Sequence, residues 1–420
     1  MTPSRNKTAT LALALALALA LGGNSLAGEP PRPAAHWATS WHASPQPAWG
    51  PGFILPTGVP VRLARQSTRE TLRLSAGGKR LRLVLSNRYG QAPVAIGRVL
   101  VSTPERRPGA SRTVELRFGG RAGATLAPGA RLVSDPVELE TAALERLAVS
   151  TYFPGQVEVG SFHWGAQQTV ELADGERGAG TDFPAQASFK GRLFLNAVLV
   201  ETDEAPARTV VVLGDSITDG NGSTPDRDLR WPDALARRLA PRGIAVANAG
   251  ISGARLLRDG MGTSALARLD QDVFALPGAD TLVILLGTND IGWPGSPFAP
   301  QESPAAFEEL AAGYAQVASA ARAHGLRVVG ATLPPFRGAL EGTPYAGHYS
   351  QAKDALRNRV NDWIRTQADF DAVVDVDALL RDPADPRRLL PAYDSGDHLH
   401  PGDRGYAAMA GAFEAALAPR

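Results

Sequence analysis

Between residues 60 and 201, apolar and polar positions alternate in short runs at 61–64, 71–74, 81–85, 94–101, 114–118, 147–152 and 193–200. Alternation at a period of two places successive side chains on opposite faces, which is the pattern of a half-buried strand. Turn-forming clusters such as Ala76-Gly77-Gly78 and Asn87-Arg88-Tyr89-Gly90 separate the runs. No long amphipathic stretch interrupts them. Short strands with turn signals at this rhythm predict an all-β, jelly-roll-like sandwich.

Past residue 207 the period changes. Apolar strands at 209–213, 244–247, 281–286, 327–331 and 372–376 alternate with helical patterns at 231–239, 265–274, 304–324, 351–366 and 402–417. The run 281–286 is apolar throughout after its Thr, as suits a strand buried on both faces. In 304–324, Phe307, Leu310, Ala311, Tyr314 and Val317 recur at helical spacing. Strand–helix alternation of this kind predicts an α/β domain with a mostly parallel sheet. The polar, proline-bearing segment 202–207 (TDEAPA) marks a linker between a β-sandwich over 28–201 and an α/β domain over 208–420. At 420 residues the chain is long enough for two such cores.

The first 27 residues read as a secretory leader. Arg5 and Lys7 make a positive start, 11–21 is an unbroken Leu/Ala run, and Ser25-Leu26-Ala27 offers small residues for cleavage after Ala27. That run is well short of the roughly 20 residues a membrane-spanning helix needs. A secreted or periplasmic protein without stable membrane anchoring is expected. The net charge of +1 turns slightly negative once the leader's two basic residues go. So even a balance offers no footprint for nucleic acid. With no cysteine in the sequence, disulfides and thiolate chemistry are excluded.

In an open parallel sheet, ligands gather outside the carboxyl ends of the strands. The residues that follow each predicted strand therefore matter most. They are Gly214-Asp215-Ser216 after the first, Asn248-Ala249-Gly250-Ile251-Ser252-Gly253 after the second, and Gly287-Thr288-Asn289-Asp290 after the third. Asp397-His398-Leu399-His400-Pro401 stands before the last helix. A serine hydroxyl becomes nucleophilic when a base within hydrogen-bond reach takes its proton, and imidazole suits that task near neutral pH. A carboxylate three residues before the histidine can fix its tautomer and stabilise the imidazolium.

In these four blocks, residues 208–417 resemble the SGNH/GDSL hydrolases. The resemblance implies a flavodoxin-like three-layer α/β/α domain, with Ser216 as nucleophile and Asp397 and His400 completing a triad. It also implies an oxyanion hole formed by Ser216, Gly253 and Asn289. Ile217 stands where the family's nickname has Leu, a swap of similar volume.

Neighbouring residues are read more plainly. His398 is expected to be an exposed or cleft-lining loop residue, with His400 as the base. Asp215 and Asp219 are expected to bond loop backbone, and Asn248 to sit in a turn. Trp293 is expected to line the cleft and touch substrate, and Trp37, Trp41 and Trp49 to pack in a core. No metal or cofactor is called for. The expected activity is serine ester hydrolysis through an acyl-enzyme, with a carbohydrate acetyl ester as the foremost substrate. A lipid-directed esterase or lysophospholipase, an O-acyltransferase, and a non-catalytic glycan-binding protein stand as alternatives. The partner is a small-molecule or polysaccharide ester, and oligomeric state is left open.

Overall fold

The computed structural model describes residues 36–50, 52–103, 112–180, 182–203 and 207–418. The expected leader and its cleavage site lie outside the described residues, as do 204–206 of the expected linker. In the first half, strands pair antiparallel in two main sheets. One runs, in spatial order, His36–His42, Leu195–Thr202, Gly78–Ser86 and Val137–Thr141. The other runs Ala187–Lys190, Thr169–Asp174, Arg62–Arg73, Arg146–Glu158, Arg98–Ser102 and Thr113–Glu115. Leu81, Leu83, Leu85 and Val198 of the first share one buried core with Leu63, Leu72, Val149 and Val170 of the second. Two antiparallel sheets joined by a common core make a sandwich.

The differences from expectation have local causes. The runs at 61–64 and 71–74 are the two ends of a single strand, Arg62–Arg73. Its middle reads as polar because polar residues there are buried: Ser67 Oγ donates to the Gly175 carbonyl at 2.8 Å, and Glu70 lies 3.7 Å from buried Arg192. The run at 147–152 extends through Pro154 because the register shifts between Phe153 and Gln156, a bulge that spares the proline a ladder bond. His36–His42 has no counterpart among the expected runs. It shows no alternation because Thr39, Ser40, Trp41 and His42 are all buried. Beyond its ladder partner, Thr39 donates from both its N–H (2.9 Å) and its Oγ (3.0 Å) to the Pro277 carbonyl of the second half.

The second half is a five-stranded parallel sheet of Thr209–Gly214, Ala245–Gly250, Ala279–Leu285, Arg327–Ala331 and Ala372–Val374. Its spatial order is second, first, third, fourth, fifth, the flavodoxin-like arrangement. Helices Trp231–Leu239 and Asp403–Ala416 pack together, with Trp231 stacked on Phe413 at 4.3 Å. Helices Phe307–Ala323 and Gln351–Thr366 form another pair, with Arg359 over the Phe307 ring at 3.9 Å. Three details depart from the sequence reading. The helix expected over 265–274 is α-helical only to Leu269 and then widens into a π-helical turn. The fifth strand ends at Val374, because Asp375 caps a short helix, Val376–Leu380, by accepting from the Ala378 amide. Asn248 lies inside the second strand rather than in a turn. Among the described residues, no helix is long and apolar enough to cross a membrane.

Candidate active site

The register of the parallel sheet fixes where its loops begin. Gly214 is level with Gly250 on one side and with Leu285 on the other. Three loops therefore leave the same edge at the same height. Ser216 opens a one-turn helix directly after the first strand. Asp215 is the cap, its carboxylate accepting the Ile217 amide at 3.0 Å. Burial pushes this carboxyl up to about 7, against the pull of the Ile217 amide and of His400.

His400 comes from the loop before the last helix. Its Nε2 lies 2.8 Å from Ser216 Oγ, and its Nδ1 lies 2.5 Å from Asp397 Oδ2. The ring therefore donates through Nδ1 to the carboxylate and accepts the serine proton at Nε2. Asp397 Oδ1 also accepts the Leu399 amide at 2.9 Å, the His400 amide at 2.8 Å and the Ser395 hydroxyl at 3.1 Å. Burial alone would raise the Asp397 carboxyl. The bonds from His400 and the two amides outweigh it and hold the group well below the usual carboxylate range. Ser216 and His400 are buried, at 7% and 8% exposure, so both sit in a recess rather than on an open loop.

Gly253 and Asn289 flank this line from the second and third loops. Gly253 has φ +72, and a side chain there would meet Met261 Sδ at 2.3 Å, so two constraints demand glycine. Asn289 is buried, and its Nδ2 donates to the Ala254 carbonyl at 3.0 Å. The second N–H of that amide has no partner among the described residues. Asp290 accepts the amides of Leu256 at 2.7 Å and Leu257 at 3.0 Å, and burial pushes its carboxyl up to about 6. Adjacent residues of the third loop thus grip the loop that carries Gly253. If Asn289 supplies a donor to a developing oxyanion, Asn289→Ala lowers kcat about 10²–10³-fold with little change in KM. Steady-state kinetics on a nitrophenyl ester check this, and a change confined to KM contradicts the role.

Several residues that shape the site carry no signal in the hydrophobic pattern. Asp219 ties three segments together: it accepts the Ser252 amide at 3.0 Å and hydroxyl at 2.6 Å, and faces His163 Nε2 at 2.9 Å. His163 belongs to the antiparallel half, where its Nδ1 donates to the Ser44 carbonyl at 2.7 Å. Asn248 donates to the Thr218 carbonyl at 3.0 Å and so clamps the helix of the serine. Buried Arg268 reaches the carbonyls of Ala249 at 2.8 Å and Gly214 at 3.2 Å, bracing the ends of two strands. Gln46 and Trp49 both donate to the Met261 carbonyl at 2.8 Å, beside Gly253.

Trp293 does not stand as a substrate platform. It is only 4% exposed, stacked on Phe298 at 5.0 Å and covered by the Arg255 guanidinium at 5.1 Å. Tight packing against Gly260 explains why it is drawn inward. His398 is exposed and pairs with Asp394 at 2.5 Å, while His400 takes the place beside the serine.

Residues 212–408 match the model of the GDSL-like lipase/acylhydrolase family. None of the curated proteins matches the chain. Solved structures similar to it include a lipase/acylhydrolase from Enterococcus faecalis, at 20% identity and TM-score 0.37 over 50% of this chain and 94% of that one. A GDSL-like lipase from Bacteroides thetaiotaomicron VPI-5482 is similar at 19% identity and TM-score 0.38, covering 52% and 91%. An acetyl xylan esterase is similar at 21% identity and TM-score 0.38, covering 50% and 100%.

Proposed function

Residues 212–408 form a domain of the GDSL-like lipase/acylhydrolase family, and from that premise we propose that the chain is an exported serine esterase acting on acetyl esters of carbohydrates. The observation that carries the reading is the continuous line from Ser216 Oγ through both nitrogens of His400 to Asp397. Ser216 Oγ attacks the ester carbonyl while His400 Nε2 takes its proton. The oxyanion that develops faces the Ser216 and Gly253 amides and the free N–H of Asn289. His400 then returns the proton to the departing alkoxide, leaving an acyl-enzyme. Water gives a proton to Nε2 and attacks the acyl carbon; as the acyl C–O bond breaks, Nε2 returns that proton to Ser216 Oγ and the acid departs.

The carbohydrate part of the reading rests on the antiparallel half, whose Trp164 and Gln167 stand beside Asn221, just past the serine. Export rests on the leader-like 1–27, and N-terminal sequencing of protein recovered outside the cytoplasm tests it.

The sign of the pH dependence follows from the base. Activity needs His400 unprotonated, so kcat/KM rises with pH and then levels. Asp397, kept ionised by its donors, adds no second ionisation over that range. A kcat/KM that does not rise with pH, with chemistry limiting, removes histidine as the base. The deciding experiment for the reaction itself is hydrolysis of nitrophenyl esters of increasing acyl length, with acetate expected to be fastest.

A further inference from the structure

A groove of about 510 Å³ runs from the antiparallel half to the loop of the serine. Trp164, Gln167, Ser188 and Phe189 line it on one side, and Asn221 and Gly222 close its end. That end lies close to the reacting residues along the chain and in space. The Asn221 amide donates to the Ser216 carbonyl at 2.9 Å. A side chain on Gly222 would collide with the Pro401 carbonyl and Ser395, neighbours of His400 and Asp397. Gly165 is pressed just as closely against Ser252 and Asp219. The groove is thus lined by both halves of the chain, and its Asn221 is hydrogen-bonded to the backbone of the nucleophile.

Its chemistry is mixed in a particular way. Trp164 is half-buried, packed at 5.4 Å from Trp49, and lines the groove. Gln167 Nε2 donates to the Gly165 carbonyl and to Asn221 Oδ1, both at 2.9 Å. Gln167 Oε1 and Asn221 Nδ2 keep no partner among the described residues, one an acceptor and the other a donor. Thr57 and Ser188 add hydroxyls. Gln167 also holds φ +51, in the left-handed region that costs a non-glycine residue energy. Its carbonyl takes the Asp226 amide at 2.9 Å, and Asp226 in turn accepts the Thr169 amide at 2.7 Å, which fixes the bend.

We propose that this groove is a saccharide subsite, holding the sugar whose ester Ser216 attacks. The proposal rests on the esterase reading and adds the element that selects the alcohol side of the substrate. Adjacent sugar hydroxyls both donate and accept, which matches an amide oxygen beside an amide N–H and two hydroxyls. The C–H face of a sugar ring packs on an indole. An alkyl chain in the same place would bury the two amides and the hydroxyls without partners, which disfavours it.

The test compares wild type, Trp164→Ala and Ser188→Trp. The second variant fills the groove from an exposed position on an edge strand, so it does not depend on the core tolerating a lost indole. Substrates are partially acetylated xylo-, cello- and chito-oligosaccharides, with 4-nitrophenyl acetate and octanoate alongside. The ratio of kcat/KM for the best oligosaccharide to that for 4-nitrophenyl acetate is expected to fall about tenfold or more in both variants. A ratio unchanged in both overturns the subsite. So does a wild type that cleaves nitrophenyl acetate but none of the oligosaccharides. A drop specific to the octanoate assigns the groove to an acyl chain and likewise overturns it. A wild type inert towards every ester sinks the esterase reading instead.

Discussion

Ser216→Ala is expected to lower kcat by about 10⁴–10⁶-fold on every ester tried, while the protein stays folded. The two halves of that expectation have separate grounds. If Ser216 forms the acyl-enzyme, removing Oγ removes its nucleophile, and what survives is whatever oxyanion donors and binding achieve with water. The fold is spared because Asp215, not Ser216, caps the one-turn helix. The side chain gives up a single hydrogen bond, to His400, worth about 0.5–1.5 kcal/mol. Burst kinetics with a nitrophenyl ester measure the first half, and the thermal midpoint the second. Turnover equal to wild type in a folded variant would remove the serine mechanism altogether.

Asp397→Asn should cost nearly as much, about 10⁴-fold in kcat, and for a reason specific to this loop. An asparagine can keep its oxygen where Oδ1 now accepts the Leu399 and His400 amides. Its NH₂ then faces His400 Nδ1 in place of Oδ2. Two donors cannot share that line, so Nδ1 must become the acceptor and the ring proton moves to Nε2. Nε2 then meets Ser216 as a donor and cannot take its proton. The loop remains in place while the tautomer is wrong. Asp397→Ala, which also abandons the backbone amides, should lose stability as well as rate. Comparing the thermal midpoints of the two variants separates tautomer from scaffold, and an Asn variant with wild-type kcat refutes the argument.

The parallel half was the more legible part of the sequence because its strands are buried on both faces. Their apolar runs, such as Val210-Val211-Val212-Leu213, carry a local signal, and the helices Trp231–Leu239 and Gln351–Thr366 stand where helical spacing puts them. Ser216 could be singled out because it follows such a strand immediately. The meeting of Ser216 with His400 spans 184 positions, and only the order of four short blocks hinted at it. His163, Gln46 and Arg268 gave no hint. Each acts through a contact far along the chain, and a lone polar residue in an apolar setting looks alike whether it is paired or not. Strand Arg62–Arg73 stayed hidden for a related reason, since polar residues such as Ser67 and Glu70 are buried against distant neighbours that periodicity does not see. Trp293 shows the reverse error, in which closeness to a motif in sequence suggested exposure that packing removes.

The strand His36–His42 has a bearing on how the molecule is made. It pairs with Leu195–Thr202, and Thr39 reaches a carbonyl 238 positions away. During synthesis this strand therefore waits until about two-thirds of the chain has been made before Thr39 can form that bond. Topology of this kind slows folding, since distant segments must meet before their contacts repay the lost entropy. It also means that the halves are not interchangeable cassettes. Cutting the gene at the boundary would strip one fragment of a covering strand and leave the other with an open seam.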